Sequence, residues 1–501
     1  MSLVPRASAL LVGALACAPP PSTTSSSAPS GDAPAQTGDD LRNAPLGQGA
    51  EGTCALDKDA FAAIAQPEPG AVGSVVRVEW QAPAARHTWV RFADSLGIER
   101  EVAADADGGV TLRGLLPDTD VTYRLVAEID GVLWCDDLRT AHTTALPVGM
   151  PELALTLGDS GAVSDAFLAL PILTAERRFA AVVDTAGQLV WAWELPDDVA
   201  TNSAAYRVDF SLDGESILVN AQAAPGQPGA IWRVPWDGNG IHEMLIDNIH
   251  RDFAELPDGT LAFLGWESRE LADGSLLRGD VVFERSPDGT QRVAWNMWEH
   301  FDHGLGPSVP LDMIDAPGVA EWAHANGLTW DQSTDSYLIS LPEFGDPSAP
   351  APLGSLISVD RATGETNWEL SNTRGDFAAA SPDVMLEAPH SVQLVDGGLL
   401  TFNRGTPDSC SRATEIALDF ESGEAWVDWE SRSDRCIHVV FLGDAIRLDD
   451  GNTVVMYSSA GQLDIVDQQG RPLFSLQSDL GAAFGFVDHR SRLYGAPLSS
   501  H

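Results

Sequence analysis

Residues 210–218 read Phe-Ser-Leu-Asp-Gly-Glu-Ser-Ile-Leu, an apolar strand, a turn at Asp213-Gly214 and a second apolar strand. Asp-Gly between two β-rich runs indicates a hairpin, because glycine accepts the positive φ that a tight hairpin turn needs. The pattern recurs at Asp258-Gly259, near Asp335-Ser336, and at Asp396-Gly397 and Asp450-Gly451. Gly214 and Gly451 are 237 residues apart, so the four intervals average about 59 residues. This part of the chain is therefore a repeat of short strands.

A second hairpin signal alternates with the first. It consists of a strand ending in Asp, a turn with Gly, and a strand that often carries Trp. Six copies occur, at Asp184…Gly187…Trp191, Trp236-Asp237-Gly238, Asp288-Gly289…Trp295, Asp360…Gly364…Trp368, Asp419…Gly423…Trp426 and Asp467…Gly470. Two hairpins per repeat predict an all-β, six-bladed β-propeller, in which each blade buries its faces against its neighbours. A doubly wound α/β fold is disfavoured because no amphipathic helix separates the strands.

A small β-rich region precedes the repeats. Short runs between residues 72 and 147 predict a β-sandwich. Residues 112–119 (LRGLLPDT), followed by Tyr123 and the closing stretch 143–147, are similar to a fibronectin type III domain. Val121 stands where that family usually has its corner tyrosine, so the similarity is one of architecture. We expect this domain to serve in spacing or packing.

The N-terminus has the pattern of an export signal. Arg6 precedes an apolar stretch at residues 7–16, which ends in small residues before Cys17. A cysteine at this junction, followed by a Pro/Ser/Thr-rich segment, resembles a bacterial lipoprotein start with Cys17 as the lipidated residue. The alternative is ordinary secretion with cleavage nearby. The predicted organisation is a signal peptide at 1–17, a disordered tether at 18–53, the sandwich at 54–147 and the propeller at 148–501.

The net charge and the cysteine content of the chain limit the classes of binding partner and the cellular compartment that are expected. The 29 Lys and Arg against 73 Asp and Glu residues give a formal charge of −44, which argues against nucleic acid and anionic lipid as partners. Contact with a membrane is expected only through the N-terminal lipid, on an exported periplasmic or cell-surface protein. Four cysteines predict two disulfides, Cys54–Cys135 and Cys410–Cys436, each within one domain. Scattered buried thiols are the alternative.

The first strand of each blade is where chemistry is expected. These strands line the channel of a propeller, so residues at their starts converge on one mouth. We call this position, the start of the first strand of a blade, one phase of the repeat. It contains Tyr206-Arg207, His250-Arg251-Asp252, His324-Ala325-Asn326, His390 and Gly443-Asp444. Three of the eleven histidines fall in it, which predicts a histidine cluster. The alternative is that these histidines are only hydrogen-bonding partners in a filled channel.

The same residues carry a family resemblance. Residues 321–331 (EWAHANGLTWD) resemble the Trp-Leu-His-x-Asn-Ser stretch of the bacterial arylsulfotransferases. Residues 389–405 (PHSVQLVDGGLLTFNRG) resemble the stretch of that family from His-Asp-x-Gln-Leu to Phe-Asp-Asn-Gly, and residues 411–415 and 442–453 continue the similarity in order. The resemblance implies an enzyme that transfers a sulfuryl group from an aryl sulfate to a phenolic acceptor through a sulfohistidine, without a cofactor.

The resemblance also implies roles for single residues, with His390 as the nucleophile. A neutral histidine can attack near pH 7, and a protonated histidine can donate to the leaving phenoxide. By analogy with phosphoryl transfer, charge spread over the sulfuryl oxygens calls for preorganised donors. We expect the catalytic residues His390, His324, His250 and Arg251, and the substrate-binding residues Asn326, Arg404, Arg207 and Asp444.

Two positions depart from the family pattern. The family has His-His-Asp where this chain has His250-Arg251-Asp252, and it has Ser-Ser-Arg where this chain has Ser340-Leu341-Pro342. A catalytic cation is therefore missing from its usual place, and Arg251 or Arg404 would have to restore the charge. A different anionic substrate, or a loss of turnover, is the alternative.

Two other functions remain open. The Asp…Gly…Trp signal also occurs in pyrroloquinoline-quinone dehydrogenases, but the adjacent cysteines expected at a quinone site are missing from the sequence. The other is a non-catalytic binding or scaffold propeller of the cell envelope. His300-Phe301-Asp302-His303 has a spacing that metal sites use, yet it also resembles the interblade loop of the arylsulfotransferases, so no metal is expected.

Overall fold

Strands make up almost all regular structure in the computed structural model. It describes residues 54–62, 64–105, 108–158, 162–196, 204–222, 228–304, 309–310, 319–349, 351–380, 385–405, 409–431, 433, 435–479 and 481–494. The predicted signal peptide, Cys17 and the tether lie outside these residues. The described helices are α1 (Met297–His300) and the short 3-10 helices Lys58–Ala60 and Ser458–Ala460, and none of them is long and apolar enough to cross a membrane. The all-β fold class is confirmed.

The N-terminal strands form two sheets around a core of their own. They are β1 (Ala55–Leu56), β2 (Glu68–Pro69), β3 (Val76–Glu79), β4 (His87–Ala93), β5 (Glu99–Ala103), β6 (Gly109–Leu112), β7 (Asp120–Ile129), β8 (Val132–Cys135) and β9 (Arg139–His142). One sheet has the order β1-β8-β7-β4-β5 with β9 also on β7, and the other is β2-β3-β6. Alternate residues face the core, as Val90 and Phe92 do in β4. The Cys54–Cys135 disulfide is present and ties the start of this region to β8.

Six sheets follow, which we number as blades 1 to 6. Their strands are β11 (Phe167–Leu173), β12 (Arg178–Asp184) and β13 (Leu189–Glu194) in blade 1; β14 (Ala204–Phe210), β15 (Ser216–Gln222), β16 (Gly229–Pro235) and β17 (His242–Ile246) in blade 2; β18 (Ile249–Glu255), β19 (Leu261–Glu270), β20 (Leu276–Arg285), β21 (Gln291–Asn296), β22 (Val309–Pro310) and β23 (Val319–Glu321) in blade 3; β24 (Gly327–Asp331), β25 (Ser336–Leu341), β26 (Ser355–Asp360) and β27 (Thr366–Ser371) in blade 4; β28 (Ala378–Ala379), β29 (Pro389–Val395), β30 (Gly398–Asn403), β31 (Arg412–Asp419) and β32 (Glu424–Glu430) in blade 5; and β33 (Asp444–Arg447), β34 (Thr453–Tyr457), β35 (Gln462–Val466) and β36 (Pro472–Ser478) in blade 6.

The hairpin turns use the glycines that the repeat signal contains. Gly214, Gly259, Gly397 and Gly451 have φ of 76°, 80°, 85° and 83°, values at which a side chain would be strained. In blade 4 the left-handed position is taken by Asp335, with φ of 49°. Aspartate tolerates this conformation better than most residues, so the hairpin forms without glycine.

Both ends of the propeller are paired to strands distant in sequence. Strand β10 (Leu153–Gly158) adds to the outer edge of blade 6 by pairing with β36. Strands β37 (Ala483–Phe484) and β38 (Asp488–Arg490) pair with β11 and complete the inner edge of blade 1. Blades 1 and 6 also share one apolar core, in which Leu168 and Leu170 pack with Val454 and Met456. The ring is thus held shut by hydrogen bonds and by buried apolar surface.

The sandwich packs against blade 2 and the C-terminal segment. The buried Arg113 guanidinium donates to the carbonyl oxygens of Gly214 and Leu493 at 2.8 and 3.1 Å and pairs with Glu215. It also stacks on the rings of Trp236 and Tyr494, with Cζ 5.5 and 5.2 Å from their centroids. One cation therefore joins the two parts of the molecule. The boundary predicted at residues 147 and 148, and the fibronectin type III similarity, stay predictions.

Candidate functional site

Irregular backbone marks the start of the inner strands in blades 3 to 6. Arg251, His324, Ser391 and Leu442 have φ of 58°, 61°, 55° and 58°, in the left-handed region that non-glycine residues seldom occupy. The strand pairing also shifts register between Ile249 and Phe253 in β18 and between His390 and Gln393 in β29. Such bulges re-aim side chains and often occur beside functional sites. These irregular residues lie at the start of the first strand of a blade, which is the position where the sequence predicts the candidate site residues.

His324 joins two charged groups. Its Nδ1 lies 2.6 Å from Oε2 of Glu321, and its Nε2 lies 2.8 Å from Nη2 of Arg251. A guanidinium group only donates, so Nε2 of His324 must accept this bond, and the ring proton lies on Nδ1 and is donated to Glu321. In this arrangement His324 is neutral and lies between a carboxylate and an arginine.

Glu321 is the anion of the cluster. Its side chain is only 3% exposed. Burial alone would raise the pKa of its carboxyl, but the hydrogen-bonded His324 and the positive charge of Arg251 lower that pKa to about 2. Glu321 is therefore ionised throughout the neutral range. It holds the orientation and the tautomer of His324.

His390 lies in β29, buried beside the same charges. Its Nδ1 is 3.3 Å from the carbonyl oxygen of Ala388, which can only accept, so this bond assigns the ring proton to Nδ1 and leaves the lone pair on Nε2. Burial lowers the pKa of His390 well below its usual value, and the positive charges of Arg404 and Arg251 lower it further. His390 is thus a neutral imidazole at pH 7.

Arg404 and Asn326 complete the cluster. Arg404 follows β30, and its Nη2 lies 3.3 Å from Oε1 of Glu343. Asn326 is fully buried, and its Oδ1 accepts from the Ser340 hydroxyl at 2.8 Å. Two buried donors of the cluster, Nδ2 of Asn326 and Nε of Arg251, have no hydrogen-bond partner among the described residues. Buried donors are normally satisfied, so these two can donate to a bound acceptor.

His250 lies behind this cluster. Its fully buried side chain stacks on Trp266, with ring centroids 4.4 Å apart and an interplanar angle of 6°. Its Nε2 lies 3.3 Å from the carbonyl oxygen of Gly265 and 3.4 Å from Oδ1 of Asp280. The left-handed backbone of Arg251 re-aims its side chain, so Arg251 reaches His324 while His250 packs inside blade 3.

Arg207 and Asp444 tie inner strands to one another. Arg207 bonds Asp252, at 3.3 Å from Nη2, and Asp209, at 3.2 Å from Nη1. Burial would lower the pKa of Arg207, but the carboxylates of Asp252, Asp209 and Asp444 hold it well above its usual value. Asp444 is fully buried and accepts from the Val487 amide at 2.8 Å, as Asp252 does from the Leu328 amide at 2.7 Å. These carboxylates join successive inner strands.

Apolar residues face the cluster from the other blades. Tyr206 of blade 2, Leu442 before blade 6 and Phe486 before β38 pack together. The Arg251 guanidinium lies over the Tyr206 ring, with Cζ 5.1 Å from the centroid. One side of the site is therefore cationic and the other apolar.

The pattern of histidines and arginines did not reveal every member of the cluster. Glu321 stands three residues before His324 within the stretch 321–331, and Glu343 directly follows Pro342. The first spacing was a usable signal, because a carboxylate beside a histidine at this distance can orient its ring. His300 and His303 stay near α1, where His303 Nδ1 is 3.8 Å from Asp302. Within the described part of the chain, no group of three His, Cys, Asp or Glu side chains could hold a metal ion.

The family model for arylsulfotransferase (ASST) matches residues 158–425, more than half of the chain and the segment that holds Arg251, His324, His390 and Arg404. The chain belongs to the arylsulfotransferase family. The resemblance that the sequence motifs indicate is thereby confirmed, and membership supports an arylsulfotransferase-like function. No curated protein matches the chain.

Several solved structures are similar to this arylsulfotransferase-family chain at low identity. A protein of unknown function from Bacteroides caccae has 12% identity and a TM-score of 0.36, covering 65% of this chain and 99% of its own. The calcium-binding protein regucalcin from Agrobacterium tumefaciens has 14% identity and a TM-score of 0.29, covering 58% and 80%. The NanB sialidase of Streptococcus pneumoniae has 10% identity and a TM-score of 0.29, covering 86% and 68%.

Proposed function

We propose that this protein transfers a sulfuryl group from an aryl sulfate to a phenolic acceptor through a covalent adduct on Nε2 of His390. One observation carries the proposal. A neutral histidine with its lone pair on Nε2 lies among Arg251, His324 and Arg404, in a chain of formal charge −44. Nε of Arg251 and Nδ2 of Asn326 are buried donors with no hydrogen-bond partner among the described residues, so this cluster suits a bound sulfate ester. A buried neutral imidazole beside donors suits nucleophilic attack.

The first step forms the bond between Nε2 of His390 and sulfur. The bond between sulfur and the aryl oxygen breaks, and its electron pair leaves with the phenoxide. Arg251, Arg404 and the free Nδ2 of Asn326 donate to the sulfuryl oxygens, where negative charge is spread in the transition state. Once Arg251 donates to the sulfuryl group, Nε2 of His324 is free to take a proton from solvent, and the imidazolium so formed gives that proton to the phenoxide.

The second step reverses the first with a new phenol. His324 takes the proton of the acceptor hydroxyl, the phenol oxygen bonds to sulfur, and the bond from sulfur to Nε2 of His390 breaks. The overall reaction converts one aryl sulfate and one phenol into the other aryl sulfate and the other phenol, so it requires no cofactor. Glu321 stabilises the imidazolium form of His324 in both steps, through the 2.6 Å contact with Nδ1.

We propose that Arg404 and Arg251 supply the cation that the family keeps at Pro342. Glu343, next to Pro342, pairs with Arg404 and fixes its position between blades 4 and 5. His250, Arg207 and Asp444 then act as supports, which hold the inner strands without touching substrate. This role follows from their burial and from their bonds within and between blades.

We propose that the protein is located outside the cytoplasm and that Cys17 carries a lipid. The two disulfides, Cys54–Cys135 and Cys410–Cys436, fit an exported protein because such bonds form in oxidising compartments. Mass spectrometry of the mature protein tests this placement. A diacylglycerol adduct on an N-terminal Cys17 supports it, and an intact N-terminus without lipid contradicts it.

Transfer is tested with 4-nitrophenyl sulfate as donor and phenol as acceptor, comparing the wild type with His390→Ala. We expect phenol-dependent release of nitrophenol that falls by more than about a thousandfold in the variant. His242→Ala, which removes an exposed histidine from β17, is the matched control and should keep full activity. The adduct itself is expected as an acid-labile mass gain on the peptide containing His390.

A propeller that binds sulfate esters without turnover is the second candidate. It is favoured by the proline at position 342, which leaves no cation at the end of β25. Tight binding of 4-nitrophenyl sulfate with no nitrophenol release, in wild type and His390→Ala alike, would establish this function instead.

A further inference from the structure

The segment 436–443, which we call the rim loop, begins beside the cationic cluster. Cys436 is bonded to Cys410, with 5.0 Å between their Cα atoms. The Val439 amide donates to the Ser411 hydroxyl at 2.8 Å, and that hydroxyl donates to the carbonyl oxygen of Arg404 at 2.5 Å. The loop is therefore attached to the backbone that carries Arg404.

The rim loop ends at the apolar side of the site. Leu442 is buried against Tyr206 and Phe486, and Gly443 has φ of 119°. A Cβ atom on Gly443 would lie 2.2 Å from the Phe402 ring, so only glycine lets the chain pass here. Both ends of the loop are held, and the loop runs from the cationic side of the site to its apolar side.

Val440 and Phe441 stand out from this anchored loop. Their exposed fractions are 62% and 45%, although the Val440 amide is fixed to the Ser459 hydroxyl at 3.0 Å. A single exposed apolar side chain is common and needs no explanation. Here two neighbours are held in place next to a buried apolar cluster and a cationic cluster, which is the layout of a site for a molecule with an aromatic part and an anionic part.

We propose that Val440 and Phe441, next to the buried Leu442, form the subsite that binds the aromatic ring of the phenolic acceptor. This inference rests on the proposed function and deepens it. When the sulfuryl group is on His390, the donors of Arg251 and Arg404 are engaged with its oxygens, so the acceptor gains affinity mainly by burying its ring. The rim loop offers apolar surface for that ring beside the adduct. This apolar subsite predicts that the enzyme prefers larger, uncharged phenols as acceptors.

The test compares Phe441→Ala and Val440→Ala with Phe420→Ala. Phe420 lies between β31 and β32, is 66% exposed and matches Phe441 in side chain but lies away from the site. With 4-nitrophenyl sulfate as donor, we expect the KM for 2-naphthol to rise roughly tenfold in Phe441→Ala, more than the KM for phenol rises. In Phe420→Ala, the KM for 2-naphthol and the KM for phenol should both stay at their wild-type values. The inference is overturned if the acceptor KM of Phe441→Ala and of Val440→Ala is no higher than that of Phe420→Ala.

A second measurement separates this inference from the proposed function. Rapid mixing of wild type with 4-nitrophenyl sulfate, without acceptor, reports the burst of nitrophenol from the first step. If there is no burst, the sulfohistidine is refuted, and the subsite is decided by titrating 2-naphthol fluorescence with His390→Ala and with His390→Ala/Phe441→Ala. Weaker binding to the double variant supports the subsite, and equal binding refutes it.

Discussion

Replacing Glu321 by Gln removes one buried charge and keeps the shape of the side chain. In the folded protein the pKa of Glu321 is about 2, against a usual value of 4.5. A shift of that size corresponds to about 3 kcal/mol of folding stability at neutral pH. The folded pKa is the lower one, so the ionised carboxylate stabilises the folded state above pH 4.5. This contribution is lost as the pH falls through the window from 4.5 to about 2.

Urea denaturation followed by tryptophan fluorescence, at intervals from pH 7 to pH 3, measures this difference. We expect Glu321→Gln to unfold with about 3 kcal/mol less free energy than wild type at pH 7, and the gap to narrow to ~1.5 kcal/mol at pH 3. Glu365→Gln, at an exposed position, serves as the control and should leave the curve unchanged. A gap that stays constant with pH, or no gap at pH 7, would refute the buried, ionised Glu321 beside His324 and Arg251.

Two further predictions concern the same region. Arg251→Met removes a positive charge beside His390; since burial and the charges of Arg404 and Arg251 hold the pKa of His390 low, that pKa should rise. The acid limb of kcat/KM against pH should then move to higher pH, and an unmoved limb would contradict the assignment. Cys410→Ser with Cys436→Ser opens a loop closed over 26 residues and should lower the free energy of unfolding by about 3 kcal/mol in urea, whereas equal stability of variant and oxidised wild type would argue against the disulfide as a stabiliser.

The repeat of hairpins could be predicted because its causes are local. Asp213-Gly214 and its counterparts encode turns within four residues, and alternating apolar residues encode the strands on either side. The phase of the repeat then indicated which residues would meet, and Arg251, His324 and His390 do lie together. The pairings Cys54–Cys135 and Cys410–Cys436 followed from cysteine count and domain membership, and both are present.

Other features depend on contacts that no local pattern encodes. The pairing of β10 with β36, and of β37 and β38 with β11, joins segments more than three hundred residues apart. Strand phase alone did not separate His250 from Arg251, because a single left-handed residue changes which of two neighbours reaches the cluster. Likewise, the positions of Arg207 and Asp444 in the sequence did not show whether these residues bind substrate or form bonds between neighbouring blades.

The sequence by itself determined the all-β class, the repeated blade, the disulfide pairs and the family, since turn chemistry, strand periodicity and family motifs are written in consecutive residues. Only the tertiary structure decided the protonation of the site. The neutral state of His390, the tautomer of His324 and the charge of Glu321 result from burial and from partners on different blades. Electrostatic energies depend on distance and exposure, and both are set when the ring closes.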